Sequence, residues 1–438
     1  MKKVLIIGYF WPYIYGSARI VGLANHLNAF GWYPIVVTAP LSQQLTSPNY
    51  RVVEVPFPGD VWEFWRKILV KLGFSTSRSL LTQLKEKAGA EGEKSWLDRL
   101  LMLYQEILAY PGVEKKWKKP ALRACREIVA SEGVQAILSN FPFTSHVVAR
   151  QLKEEFSLPW LADFPDLWSQ NHYYTYGKLR HWFDERLEVK TLKSADLLTT
   201  VSDNWADKLK RLHPGAKVLG ITHGYDPAIV NEPPAPLLPK FTITYTGTIY
   251  PGMQDPEPFF EAVGDLLRDG TIPRDAIEIR FYSDQETWLK PTIREHGVSD
   301  VVFLLDRTEK SEIVHRHRES HLLMVLDTND DERGWHSLKI FDYLAAKRPV
   351  LIVGGAPNNA LVELVAEIGA GEHGQTAAEV KDIISRAYAT FVKTGSVPYR
   401  GDQEALERYS HTVKVKQFAD LLNDISQSGG KIELATKS

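Results

Sequence analysis

Short apolar runs alternate with amphipathic segments along this chain, stop at PPAPLLPK (233–240), and then resume. In the first half, VLIIGYF (4–10), PIVVTAP (34–40), RVVEVPF (51–57), QAILSN (135–140), PWLADF (159–164) and DLLTTVS (196–202) read as strands. In the second half, FTITYTG (241–247), AIEIRFYS (276–283), VVFLLD (301–306), LLMVLD (322–327) and VLIVGG (350–355) do the same. Runs this apolar belong to strands buried on both faces, as in parallel sheets. Helical segments between them imply right-handed crossovers. The spacing therefore predicts two doubly wound α/β units, with ligands at the carboxyl ends of the strands in a cleft between the units. The expected division is 1–228, with a helical insertion at about 58–118, then 229–402. A helix at 403–425, packing back on the first unit, and a disordered tail at 426–438 complete it.

A chain of 438 residues is too long for one ordinary core, which agrees with two units. Net charge is about −2, so nucleic acid is not expected as a partner. The single cysteine, Cys125, excludes an internal disulfide and suggests a reducing cytoplasm. MKKVLIIGYFWP has a basic start and a short apolar run but no small-residue cleavage site, so it reads as a first strand. No apolar stretch reaches the length of a membrane span.

The segment SLKIFDYLAAKRPVL (337–351) poses the main chemical question. Leu338, Phe341, Leu344 and Ala345 recur at helical spacing, and Ser337 is a candidate N-cap. Lys339 then places a positive charge in the first turn, against the helix dipole. A bound anion would account for it, with the amides of Ser337 and Leu338 and the Lys339 ammonium forming a phosphate seat. Asp342 lies one turn on and suits sugar hydroxyls; a plain surface ion pair with Lys339 is the competing explanation. Small-residue loops end the first strand of each half: Gly16 and Ser17 in the first, Gly247 and Thr248 in the second. Either loop can receive a phosphate on its backbone amides, or simply make a turn. Neither has the three-glycine spacing of a dinucleotide fold.

In LADFPDLW (161–168), Asp163 and Asp166 sit at a strand end, where a carboxylate can act as a base or stabilise positive charge. A turn-capping Asp166 is the alternative. His146 and Trp168 are candidates for the acceptor side, though a buried histidine is often structural. The cluster DTNDDE (327–332) lacks calcium-loop spacing, and no metal site is expected.

With these motifs on the page, the chain resembles the GT-B fold glycosyltransferases, specifically the retaining, family 4-like group. WPYIYGSARIVGLANHLNAFGWYPIVVTA is similar to that group's glycine loop, first helix and second strand. KWKKPALRACREIVASEGVQAILSNFPFTSHVVARQLKEEFSLPWLADFPDLWSQN is similar to its acceptor-domain core. ADLLTTVSDNWADKL and ITHGYDP are similar to the stretch leading into its hinge, FTITYTGTIYPGMQDPEPFFEAV to the start of its donor domain, and SLKIFDYLAAKRPVL to its donor-binding helix. The resemblance implies two Rossmann-like domains and a nucleotide-diphosphate sugar as donor substrate, with no cofactor. Lys339 would meet the diphosphate, Asp342 would stand where the group has a ribose-binding glutamate, and Gly16 and Ser17 would approach the phosphates. Asp166 or Asp163 would lie near the transferred sugar. Two departures stand out. Gly334 occupies the place of a second glutamate, and TGTIYPGMQDP lacks the group's Arg and Lys. Charge compensation would then fall on Lys339, with Arg19, Arg307 or Arg333 as helpers.

The expected function is transfer of a sugar to a glycan or lipid-linked acceptor, with retention, in surface polysaccharide or glycoconjugate synthesis. A nucleotide-sugar epimerase and a non-catalytic sugar-binding scaffold are the alternatives. DVWEFWRKILVKLGF, with Trp62 and Trp65 among basic residues, suits either an amphipathic helix on the inner face of a membrane or a lid on the protein itself. Lys115, Lys116, Lys118 and Lys119 around Trp117 extend the same expectation of peripheral membrane contact.

Overall fold

The computed structural model describes residues 1–9, 18–41, 45–57 and 110–427, apart from 113, 173, 175, 232–234, 284–286, 309, 329–333 and 335–336. Gly16, Ser17, Arg333, Trp62 and Trp65, most of the expected insertion, and all but the first two residues of the tail lie outside them. The chain divides into two compact units, one of Met1–Gly220 with Val415–Ser438, the other of Ile221–Lys414.

The first unit is a seven-stranded sheet in the order β3-β2-β1-β4-β5-β6-β7. Its strands are β1 (Lys2–Ile7), β2 (Trp32–Thr38), β3 (Arg51–Glu54), β4 (Val134–Ser139), β5 (Trp160–Phe164), β6 (Leu197–Thr200) and β7 (Val218–Gly220). All pairings are parallel, with Ile6 opposite Val36 on one side and Leu138 on the other. The helices used below are α1 (Ala18–His26), α2 (Lys118–Glu132), α3 (Phe143–Phe156), α4 (Lys178–Leu192) and α5 (Asp203–Leu212). Val4 through Ile7 are fully buried, as the apolar run predicts.

The second unit is a six-stranded parallel sheet in the order β10-β9-β8-β11-β12-β13. It comprises β8 (Phe241–Thr246), β9 (Ile277–Tyr282), β10 (Val302–Leu305), β11 (Leu322–Leu326), β12 (Val350–Val353) and β13 (Gly371–Gly374). Its helices are α6 (Pro227–Asn231), α7 (Glu257–Arg268), α8 (Lys290–Glu295), α9 (Lys310–Glu319), α10 (Lys339–Ala345), α11 (Ala360–Ile368), α12 (Ala377–Thr394) and α13 (Gln403–Glu407). In β11, Leu322, Met324 and Leu326 join the core beneath α7 and α12. Leu323 and Val325 join a second core with Phe341 and Leu344 of α10 and Leu361 of α11. The period-two alternation of a strand thus feeds two cores, one on each face. Both sheets run outward from a central strand in two directions, so each has a point where the strand order reverses: β1/β4 in one, β8/β11 in the other.

Two boundaries differ from expectation. The first unit ends at Gly220, because Tyr225 and Ile229 belong to the core around α10 and the Tyr225 amide donates to the Tyr409 carbonyl at 3.0 Å. The segment expected as one helix over 403–425 is two: α13, and α14 (His411–Gln427). Leu406 and Tyr409 are taken by the second unit's core, whereas Phe418, Leu422 and Ile425 of α14 are buried. From Val415 onward α14 belongs to the first unit, where the Lys2 ammonium donates to Asn423 at 2.8 Å.

Candidate functional site

In the second unit the candidate site gathers around the end of β8. The chain leaves the strand through Gly247 at φ +97°, a left-handed conformation that glycine adopts without penalty. A Cβ at Gly247 would lie 3.3 Å from Lys339 Cε and Nζ, so the lysine lies directly over this turn. Its ammonium donates to the Tyr245 hydroxyl at 2.6 Å and lies 3.9 Å from the centre of that ring. Tyr245 in turn donates to the Thr248 carbonyl at 2.9 Å, which braces the loop. The Arg307 guanidinium donates to the Thr248 hydroxyl. The hydrogen bond that orients Lys339 therefore comes from β8 of the same unit.

Beneath this turn lies a buried polar pair that the sequence did not reveal. Tyr343 of α10 accepts from the Thr246 amide through its hydroxyl at 2.9 Å, tying the helix to the strand end. His317 of α9 meets the Thr246 hydroxyl at 3.1 Å and packs edge-on against Tyr343. Burial, and then the positive charge of Lys339, push the His317 pKa down to about 3, so the ring is neutral. Thr246 alone, a hydroxyl closing an otherwise apolar strand, was the available signal.

Ser337 is not the side-chain cap expected of it. The helix begins at Lys339, with Leu338 at the cap position and no capping side chain. Ser337 is buried, and its carbonyl accepts from the Ile340 amide at 3.1 Å. The amides of Ser337 and Leu338 make no hydrogen bond to any described group, as the open start of a helix leaves them. Asp342, half-buried, follows one turn later.

At the carboxyl end of β5 in the first unit, the two aspartates separate. Asp163 is fully buried and receives the Arg19 guanidinium, Nε to Oδ2 at 2.8 Å and Nη2 to Oδ1 at 2.9 Å. Asn140 donates to it at 2.7 Å and Thr199 at 2.7 Å. Arg19 also lies 4.7 Å over the Phe418 ring of α14. This constellation ties α1, β4, β5 and β6 together. The arginine expected to help a donor phosphate and the aspartate expected beside the sugar are each other's partners inside the fold. Asn140 and Thr199, polar residues ending apolar strands, were the sequence signal for it.

Asp166 contrasts with its neighbour. It is half-buried and makes no hydrogen bond or ion pair to any described group. The turn-capping role considered for it therefore has no bonded counterpart. Burial raises its carboxyl from the ordinary 3.8 to about 6. His146 is a core residue rather than a surface base. It is fully buried, stacks on Phe164 at 4.4 Å, and meets the Ser139 hydroxyl through Nδ1 at 2.7 Å. Burial pushes its pKa down to about 3, which removes it as a proton acceptor at neutral pH. Trp168 is also core, stacked on Phe143 at 4.6 Å with parallel rings. Trp117, offered for a membrane face, is fully buried.

No protein-family model and no curated protein matches the sequence. Solved structures do match along the full chain. Sucrose-phosphate synthase from Thermosynechococcus elongatus aligns with a TM-score of 0.61 at 14% identity, over 98% of this chain and 100% of that one. An alpha,alpha-trehalose-phosphate synthase (UDP-forming) from Burkholderia vietnamiensis aligns with a TM-score of 0.59 at 11% identity, over 98% and 99%. A putative UDP-N-acetylglucosamine 2-epimerase from Listeria monocytogenes aligns with a TM-score of 0.53 at 12% identity, over 99% and 100%. With its seven-stranded and six-stranded parallel sheets, each reversing strand order at its centre, this chain has the α/β architecture of the GT-B fold.

Proposed function

We propose that this protein is a glycosyltransferase whose second unit holds a nucleotide-diphosphate sugar. The observation that carries the reading is Lys339, held by Tyr245 over the Gly247 turn where the second sheet reverses its strand order. Strand-end loops at such a point are the usual ligand site of doubly wound sheets. A fixed ammonium beside unbonded helix-start amides suits a diphosphate leaving group and stabilises the charge that develops on it. Arg307, bonded to Thr248, adds a second cation to the loop. Asp342 is assigned to the ribose. The sucrose-phosphate and trehalose-phosphate synthases that share the fold support the same class.

In this reading Asp166 accepts the proton of an acceptor hydroxyl on a glycan or lipid-linked sugar. A carboxyl near 6 is ionised at neutral pH yet basic enough to take a proton. Attack on the face that the diphosphate leaves would retain anomeric configuration, with cationic side chains rather than a metal neutralising the diphosphate.

Lys339→Ala tests the donor half. Nucleoside diphosphate affinity should fall by about 1.5–3 kcal/mol, the range for a hydrogen bond to a charged group. Isothermal titration calorimetry with UDP, GDP and ADP reads it; equal affinity for all three in wild type and variant would refute the role. The fold shared with a putative UDP-N-acetylglucosamine 2-epimerase supports a second reading, interconversion of the donor sugar without an acceptor. Incubation with nucleotide sugars alone separates the two: an epimeric nucleotide sugar favours the epimerase, and a product requiring acceptor favours the transferase.

A further inference from the structure

Helix α4 is turned inside out. Its buried residues are mostly charged or polar: Arg180, Asp184, Glu188 and Thr191, with Leu192. Arg180 and Glu188 are held by other segments of the first unit. Arg180 pairs with Asp184 at 2.7 Å and donates to the Pro111 carbonyl, while Glu188 accepts from the Ser169 amide and hydroxyl. Polar anchoring fixes which way the helix faces. Its apolar side chains therefore point outward: Leu179 is 72% exposed, Phe183 46%, Trp182 45% and Val189 39%. These recur at i, i+3, i+4 and i+10, one stripe along the helix. Glu185 beside them is half-buried, and the exposed charges there are Lys178, Arg186, Lys190 and, one residue past the helix, Lys193. All four are positive, on a chain whose net charge is about −2.

Large exposed apolar stripes mark a surface that meets something. The partner here must accept aromatic and aliphatic side chains and be negatively charged. We infer that the outward face of α4, carrying Leu179, Trp182, Phe183 and Val189 among Lys178, Arg186, Lys190 and Lys193, docks on an anionic phospholipid surface. Trp and Phe enter the headgroup boundary, and Lys and Arg meet lipid phosphates. Arg186 lies 3.9 Å over the Trp182 ring, so cation and aromatic already form one unit. The surface continues beyond the helix. The Tyr110 ring packs edge-on against Phe183. None of the described helices is long and apolar enough to cross a membrane, so contact would be peripheral. This inference is independent of the proposed sugar transfer, and it rests on α4 rather than on the Trp62–Trp65 segment.

The experiment is co-sedimentation of the full chain with vesicles of phosphatidylglycerol and phosphatidylcholine, against phosphatidylcholine alone, at low and high salt. Docking predicts binding that requires the anionic lipid and weakens with salt, because exposed charges are screened. The double variant Trp182→Ser, Phe183→Ser should lose at least tenfold in vesicle affinity, and so should Arg186→Glu, Lys190→Glu. All four side chains are exposed, so thermal melting should be unchanged and serves as the folding control. Absence of binding to anionic vesicles at low salt overturns the inference. So does equal binding by wild type and both variants. A lipid-free dimer seen by light scattering and lost in the Trp182–Phe183 variant would also overturn it, assigning the face to a second copy. No readout depends on transferase activity, so failure here leaves the proposed function standing, and the reverse.

Discussion

Asp166→Asn should lower turnover by roughly 10²–10⁴-fold, the contribution of a positioned general base, and at the same time make the protein more stable at neutral pH. The two effects have one cause. Burial raises the folded carboxyl from 3.8 to about 6, with no bonded partner among the described residues to offset the lost hydration. Between those values the folded state holds a proton that the unfolded state has released. Stability therefore falls as pH rises from about 4 to about 6, and the loss is complete above that. A rise of this size corresponds to about 3 kcal/mol at most. The neutral asparagine removes the penalty. Thermal melts of wild type and variant should coincide near pH 4 and separate above pH 6, with the variant higher. Equal melting at pH 8, or a variant that keeps most of its turnover with a nucleotide-sugar donor, would show that Asp166 has another role.

Asp163→Asn should do the opposite and destabilise the first unit by about 3–5 kcal/mol, the usual result of breaking a buried ion pair from one side. Arg19 would be left in the interior facing an amide, while the Asn140 and Thr199 donors would lose the carboxylate they share. Urea melts monitored by tryptophan fluorescence measure it. A chemically competent but merely fragile variant is expected: where it remains folded, donor binding by the second unit should be unchanged. A variant as stable as wild type but without turnover would return Asp163 to the chemistry.

The paired predictions show where sequence reading stops. LADFPDLW places two aspartates at one strand end, three residues apart, and period and composition treat them alike. Which one keeps a carboxylate unbonded among the described residues depends on residues far away in the chain. Arg19 on α1, Asn140 after β4 and Thr199 on β6 all converge on Asp163, and none reaches Asp166. The same holds for Lys339. Its misplacement against the helix dipole was legible locally, but Tyr245, its hydrogen-bond partner, lies in a strand nearly a hundred residues earlier.

The two α/β units were determined by the sequence itself. Burial on both faces of a parallel sheet demands uninterrupted apolar strands, and that demand is written at every position of VLII, AIL, LLMVL and VLIV. Helix orientation was not. The stripe Leu179, Trp182, Phe183 and Val189 reads as a core face, yet Asp184 and Glu188, held by Arg180 and Ser169, took the interior instead. Local periodicity records only that a helix has two unlike faces. Long-range hydrogen bonds to buried charges, which cost too much to leave unpaired, decide which face turns inward.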